Sequence, residues 1–317
     1  MAKKLWVRDL EDGMTVDITL LVLEKELRPF KEKPQNFLQV KFRDVTGTIW
    51  GKCWEDAEEA AKSFEIGDIL RVRGKCNLYR KTLQLIFQKE GFEKVTQFQL
   101  ADFLKKTDLD EEIVFKNLNE TFKRFRNPYL RKLLELIFSD EEFVGKFKIA
   151  PGAKVHHHNY IGGLIEHTFG VVYLCKSMAK LNPKLDRELL LAGAILHDIG
   201  KVKGYSLTTL IEVSEEGGLL GHSILGAEIA KKKISEIESF PKDLELKLLH
   251  MVLSHHGDVS EIEPRFPEAV ALYYADLADS QVNEFLQIYA IEKGKGKKGI
   301  WSDFSRNLKR YLYLGEA

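Results

Sequence analysis

The sequence predicts an α+β protein of two domains, an N-terminal five-stranded β-barrel followed by an all-α helical domain. Three observations predict it. Apolar residues alternate or run in β-branched stretches up to about residue 95, and from about residue 99 they recur at three- and four-residue spacing. Turn signals cut the first part into five runs. All nine histidines fall in the second part, between residues 156 and 256. A chain of 317 residues is long for one domain and comfortable for two.

In chain order, "DITLLVLEKELRPF", "NFLQVKFRDVTGTIWGKCWE", "GDILRVRGKCNLY" and "KTLQLIFQKEGFEKV" supply the strands, the second run holding two of them around the turn "DVTG". "EDAEEAAKSF" is amphipathic and helical, and it lies between the third and fourth strands. Five strands with a helix in that place is the layout of an OB-fold barrel. "FLKKTDLDEEIVFKNLNETFKRF" and "PYLRKLLELIFSDEEFVGKF" then read as amphipathic helices, with Pro128 in a first turn. Further helical patterns cover 160–181, 186–200, 221–238, 242–255 and 266–291. "EKGKGKKG" (292–299) is a break that opens a basic C-terminal tail. The expected division is an OB-fold-like domain at 1–95, a helical connector at 96–150 and the histidine-bearing domain at 151–317.

Lys plus Arg equals Asp plus Glu at 48 each, so a nucleic-acid surface must be a local patch. Cys53, Cys76 and Cys175 form no CxxC pair. That argues against a disulfide framework and a thiolate zinc site, and it fits a reducing cytoplasm. "MAKKLWVRDLEDG" has no apolar signal segment, and no stretch reaches the roughly 18 apolar residues of a membrane span. A cytoplasmic protein without a membrane partner is expected.

In "GAILHDIGKV" a helix of small and aliphatic residues ends on two adjacent metal-capable side chains, His197 and Asp198. The other ligands must come from elsewhere. His167 lies in "GGLIEHTFGVV", His222 in "LLGHSILGAEIA", and His255 and His256 in "VLSHHGDV". Asp276 lies in the apolar helix "AVALYYADLADS", with Asp279 three residues on and on the same face as either the ligand or its support. Taken alone, a histidine such as His167 or His222 is more often a capped or satisfied polar residue than a ligand. Their order along the chain, each next to a helix, is what argues for a metal. A His-His-Asp-Asp set holds one divalent ion, and three further histidines hold a second if Asp198 bridges. Mixed nitrogen and oxygen donors favour Mn²⁺, with Fe²⁺, Co²⁺ or Mg²⁺ as alternatives, over a structural zinc.

The order H…HD…H…HH…D resembles the HD-domain phosphohydrolase superfamily, whose members are helical bundles holding one or two metals. The resemblance implies His167, His197, Asp198 and Asp276 as the four-ligand core, and His222, His255 and His256 as the second set. It implies a catalytic role for Asp198 and for Lys201 in "HDIGK", the lysine facing the substrate phosphate; a cation ending a helix is its plain alternative. Over nearly the whole chain the sequence is similar to the YhaM-type 3′→5′ exoribonucleases, through "APGAKVHHHNYIGGLIEHT", "LLGHSILGAEI", "VLSHHG", "YYADLADSQVNEF" and "IWSDFSRNLKRYLYLG". "ADLADS" stands where that family commonly ends in Asn-Leu-Asp-Ala, and "PGAK" where it has "PAAK". This resemblance implies hydrolysis of single-stranded RNA, or single-stranded DNA, to nucleoside 5′-monophosphates. It also implies a substrate-side or supporting place for His157 and His158, and a homo-oligomer. His156 and His250 are left unassigned. A nucleotide or cyclic-nucleotide phosphohydrolase with the barrel as sensor, and a non-catalytic nucleic-acid-binding protein, are the rival readings.

OB-folds bind single strands through basic grooves with aromatic platforms. The candidates here are Arg28, Phe30 and Lys31 in "ELRPFKEK", Trp50, Lys52 and Trp54 in "IWGKCW", Arg73, and Tyr79, Arg80 and Lys81 in "LYRK". Trp50 and Trp54 read equally as barrel core.

Overall fold

The computed structural model describes residues 4–30, 34–154, 158–257, 262–294, 299–306 and 308–315. Lys31 and His157, both expected to touch substrate, lie outside the described residues, as do residues 295–298 of the glycine- and lysine-rich break.

Strands β1 (Thr15–Pro29), β2 (Asn36–Asp44), β3 (Gly47–Cys53), β4 (Ile69–Tyr79) and β5 (Thr82–Lys94) close a barrel in the order β1-β2-β3-β5-β4, with helix α1 (Ala57–Lys62) between β3 and β4. All pairs are antiparallel except β3 with β5. The alternation in the sequence is the cause. On β2, Leu38, Val40 and Phe42 point inward, and on β3 Ile49, Gly51 and Cys53 do. Gly51 admits no side chain, because a Cβ there would sit 2.5 Å from the Phe42 ring, which packs edge-on against Phe87 inside the barrel. The "DVTG" turn is held by Asp44. Its buried carboxylate accepts from the backbone N–H of Thr46 and Gly47 and from Val7 N–H at 2.6 Å.

The helical unit contains α2 (Glu111–Lys123), α3 (Pro128–Phe138), α4 (Glu141–Ile149), α5 (Gly163–Leu181), α6 (Arg187–Leu196), α7 (Lys201–Gly204), α8 (Glu215–Leu220), α9 (His222–Ile234), α10 (Lys242–Ser254) and α11 (Pro267–Gly294). Side-chain caps fix several starts: Asp110, Asn127, Asp140 and Asp186 each accept backbone N–H groups of the first turn. The Asp140 cap is why the run 128–147 breaks into two helices. A short two-stranded sheet, β6 (Tyr205–Leu207) with β7 (Ile211–Val213), follows α7. The helical period gave no sign of it, nor of α8.

The chain divides into one unit of Met1–Lys106 with Leu207–Leu210 and another of Thr107–Ser206 with Ile211–Ala317. The helices expected as a connector share the second unit's core, where Leu118, Leu134 and Phe147 cluster with Leu190, Ile195 and Leu272. The described residues contain no helix long and apolar enough to cross a membrane.

Candidate metal centre and nucleic-acid face

Helix α6 is buried from Leu189 to its last residue, Leu196, so the chain leaves it inside the core of the helical unit. His197 and Asp198 stand in the turn that follows, 0% and 1% exposed. Gly200 allows that turn to touch α9: a Cβ there would lie 1.9 Å from the His222 carbonyl oxygen and 2.4 Å from Gly226 N. The glycine of "HDIGK" is therefore a packing requirement that brings His222 to Asp198.

Asp198 faces two sets of donors. Its Oδ2 lies 3.4 Å from His167 Nε2 and 3.3 Å from His197 Nε2, and its Oδ1 lies 3.3 Å from His222 Nε2 and 3.5 Å from His255 Nε2. Asp276 Oδ1 approaches His167 Nε2 to 3.0 Å, and Asp276 Oδ2 lies 3.7 Å from His256 Nδ1. His222 and His256 meet through their Nε2 atoms at 2.9 Å.

The backs of the imidazoles decide what their fronts offer. His197 Nδ1–H donates to the Ala194 carbonyl at 2.8 Å, and His255 Nδ1–H to the Val252 carbonyl at 2.7 Å. His167 Nδ1 is paired with Asp279 Oδ2 at 2.7 Å. With Nδ1 committed as donor, the ring presents an Nε2 lone pair to the cluster, which is the tautomer a metal takes. Among the described residues, buried Asp198 Oδ1 and His255 Nε2 find no hydrogen-bond partner. Two such orphaned acceptors 3.5 Å apart are costly in a protein interior and suit a shared cation. This donor set fits divalent metal, and groups within it have metal-holding spacing: His167, His197 and Asp198, and separately His222, His255 and His256.

The titration behaviour agrees with that fit. Burial works against a charge on His167, but Asp198, Asp276 and Asp279 outweigh it and hold its pKa well above the usual value. These carboxylates concentrate negative potential where a cation would sit. Burial would raise the Asp198 carboxyl, yet Lys201 and His197 hold it well below the ordinary range. Burial, helped by Lys201, His255 and His256, pushes His222 down to about 2 against the pull of Asp198, and burial with His255 takes His256 to about 4, so both keep neutral lone pairs.

Asp279 points to the far side of His167 from Asp276. It accepts from His167 and lies 2.9 Å from His158 Nε2, and those two histidines hold its pKa at about 2 against burial. Gly170 clears its place, since a Cβ there would be 2.2 Å from Asp279 Oδ1. The geometry thus puts Asp276 among the donors and Asp279 behind them. His158, 3% exposed with a φ of 54°, is fixed by Asp279, by Tyr160 and by Asn283, which accepts its backbone N–H; its ring supports the cluster from inside. Lys201 is 4% exposed, with Nζ 2.6 Å from Asp198 Oδ2, where it balances the carboxylate. His250 accepts the Arg265 backbone N–H, apart from the donors.

On the barrel, Phe30, Phe37 and Trp54 form a cluster with ring centroids 4.9–5.6 Å apart. Lys52 Nζ lies 5.1–5.6 Å over the rings of Phe37, Trp54 and Tyr79, and Arg80 lies over Tyr79. Partial burial, and then the charge of nearby Arg28, hold the Lys52 pKa below the ordinary lysine value. Arg28 is itself paired with Glu26 at 2.8 Å. The tight turn joining β4 to β5 consists of Arg80 and Lys81, both left-handed at φ 48° and 67°. Non-glycine residues there cost about 1–3 kcal/mol each, a strain tolerated where side chains serve a purpose. Arg73 is elsewhere engaged, sharing Asp17 and Glu93 with Arg71. Trp50 lies on the outer face of β3 and Trp54, the residue after that strand, is exposed, so neither is in the core. Phe37 was missed from sequence, although its alternation with buried Leu38 and Val40 put it on the outer face.

Residues 164–280 match the model of the HD domain family, and residues 9–90 match that of the OB-fold nucleic acid binding domain. The chain thus joins an OB-fold nucleic-acid-binding domain to an HD domain, the mark of a metal-dependent phosphohydrolase. Among solved structures it is similar to the second OB-fold domain of replication protein A from Methanococcus maripaludis, at 17% identity over 30% of this chain and 98% of that one, TM-score 0.24. It is also similar to Schizosaccharomyces pombe Pot1pC bound to ssDNA, at 10% identity over 31% and 89%, TM-score 0.26. Asparaginyl-tRNA synthetase from Pyrococcus horikoshii matches at 13% identity over 84% of this chain and 63% of that chain, TM-score 0.24.

Proposed function

We propose that this protein is a metal-dependent 3′→5′ exonuclease that hydrolyses single-stranded RNA, and alternatively single-stranded DNA, to nucleoside 5′-monophosphates. The observation that carries the proposal is Asp198. One carboxylate turns one oxygen to His167 and His197 and the other to His222 and His255, inside an HD domain joined to a barrel with an aromatic and cationic face.

In this reading His167, His197, Asp198 and Asp276 hold one divalent ion, and Asp198, His222, His255 and His256 hold another, Mn²⁺ being the preferred metal. Bound ions supply Lewis acidity toward a phosphoryl group and lower the pKa of water to near neutrality. The protein's own part is positional. The Ala194 and Val252 carbonyls and Asp279 keep three imidazoles in the ligating tautomer. Lys201 keeps Asp198 ionised and adds a positive charge where a non-bridging phosphate oxygen would gain negative charge. On the barrel, Phe30, Phe37, Trp54 and Tyr79 offer ring faces to unpaired bases, while Lys52 and Arg80 answer the backbone phosphates.

The test is a time course on 5′-labelled single-stranded RNA with and without Mn²⁺, beside Asp198→Ala. Expected is a ladder shortening from the 3′ end that needs Mn²⁺ and is absent in the variant, whose RNA affinity stays close to that of the parent. Full activity in Asp198→Ala would refute the assignment. Intact RNA alongside hydrolysed nucleotides would keep the metal centre and replace the substrate.

A further inference from the structure

The C-terminal segment "IWSDFSRNLKRYLYLG" supplies no donor to the metal centre, yet it is built as a hairpin. Ser302 N–H donates to the Leu312 carbonyl at 2.9 Å, Ser305 N–H to the Arg310 carbonyl at 2.9 Å, and Leu314 N–H to the Ile300 carbonyl at 2.8 Å. Ser302 Oγ accepts Leu312 N–H at 2.9 Å, and Tyr289 of α11 donates its hydroxyl to the Leu314 carbonyl at 3.2 Å. Leu312 and Leu314 are buried, so the hairpin is seated on the helical unit. Its anchor at Tyr289 lies about 20 Å along α11 from Asp276 at the usual helical rise, well away from the donors.

Alternation decides what the hairpin shows to water. With Leu312 and Leu314 turned inward, Tyr311 and Tyr313 face outward. Opposite them the Trp301 ring meets Tyr313 at 5.4 Å between centroids, and the Phe304 ring meets Tyr311 at 5.3 Å. These four rings are 50–61% exposed and form one ladder, and contiguous exposed apolar surface of this kind marks an interaction site. The turn between Ser305 and Arg310 is cationic. Arg306, Lys309 and Arg310 are all exposed, and Asp303 is the one acid among the described residues of the hairpin. Lys309 is left-handed at φ 51°, as are Arg80 and Lys81 next to Tyr79 on the barrel. The Arg310 Nε–H is held by the Leu308 carbonyl at 2.9 Å, which leaves Arg306 and Lys309 to answer an outside charge.

We infer that the C-terminal hairpin is a second single-strand binding surface, on which unpaired bases stack against Trp301, Phe304, Tyr311 and Tyr313 while Arg306 and Lys309 meet the phosphates. It adds to the barrel face of the nuclease reading, and it is tested by binding without cleavage. The charge points to a polyanion, because three cations stand against one acid here in a chain whose charges balance at 48 each. The rings point to unpaired bases, since each base offers a π-face that an exposed aromatic side chain can stack on, whatever the sequence. A second copy of the chain fits less well, because a self-complementary contact between two hairpins would double the same cationic excess.

The full-length protein, in chelator so that nothing is cut, is titrated into fluorescein-labelled single-stranded RNA and read by anisotropy. Tyr311→Ser with Tyr313→Ser should weaken binding about tenfold, whereas Tyr311→Phe with Tyr313→Phe, which keeps both ring faces, should bind like the parent. Arg306→Gln with Lys309→Gln should lower the slope of log affinity against log salt by about 1.4. Melting curves check that each variant is folded. Parental affinity in a folded serine variant overturns the inference, and a shift in its oligomeric state would then assign the rings to a second copy. Where the serine variant does not fold, an unchanged salt slope in the glutamine variant overturns the inference instead. Equally tight binding of the same RNA as a duplex overturns it too, because paired bases cannot stack on the ladder. Parent protein that binds RNA through the hairpin but cuts none with Mn²⁺ sinks the nuclease reading and leaves this inference standing.

Discussion

The metal centre and the outer face of the barrel both gather side chains of one chemical kind, but they are built on opposite terms. In the centre five of the seven grouped side chains are buried, and three of the imidazoles are used from two sides. His167 faces Asp276 with one nitrogen and Asp279 with the other, and His197 and His255 are pinned by the carbonyls of their own helix ends. On the barrel, Trp54 and Tyr79 are largely exposed and touch Lys52 through ring faces alone. Burial makes every donor in the centre answerable to a partner, because an unsatisfied buried polar atom costs about 1–3 kcal/mol. Exposure removes that constraint from the barrel, where a cation is either recruited to the face, like Lys52, or retained by carboxylates, like Arg73 with Asp17 and Glu93.

The comparison breaks most visibly at Gly200. Gly200→Ala drives a methyl group into the His222 carbonyl, so the "HDIGK" turn and α9 must separate. The expected loss is about 3 kcal/mol, at the upper end of overpacking, with weaker Mn²⁺ binding by calorimetry. A variant with parental melting temperature and Mn²⁺ affinity would show that the two elements need not touch. On the barrel, where no partner is obligatory, Phe37→Ala with Trp54→Ala should weaken single-stranded RNA binding about tenfold or more at fixed salt, read by fluorescence anisotropy, while moving the melting temperature little. A large fall in stability without loss of affinity would make that cluster structural.

The smallest effect sharpens the contrast through pH. In the folded protein His256 is lowered to about 4 by burial and His255, against an ordinary 6.5. Below pH 6.5 the unfolded chain takes up a proton that the folded one refuses, so this residue's contribution is intact above 6.5 and fades as pH falls toward 4. With chelator present, His256→Gln should shallow the decline of the melting temperature between pH 6.5 and 4. An identical slope would mean that His256 titrates normally.

Much of this was legible in the sequence. Alternation in "NFLQVKFRD" and the run "EDAEEAAKSF" gave the barrel and its helix, since strand periodicity and helix propensity are local properties. The order of His167, His197–Asp198, His222, His255–His256 and Asp276 picked out side chains that the fold gathers into one cluster, because residues of these types are scarce and set beside helices. Other features needed the folded chain. Sequence favoured Asp276 as the ligand by resemblance but left Asp279 open as ligand or support, and only the packing of α11 against α5 turns the first toward the front of His167 and the second to its back. Arg73 and Lys52 are alike as letters, but which carboxylates lie opposite them depends on β1, β4 and β5 meeting in register. Whether a side chain is local pattern or long-range partner marks the division. Periodicity and residue type are written in the chain, whereas the direction a side chain faces, and what it therefore touches, is decided by elements far away in sequence.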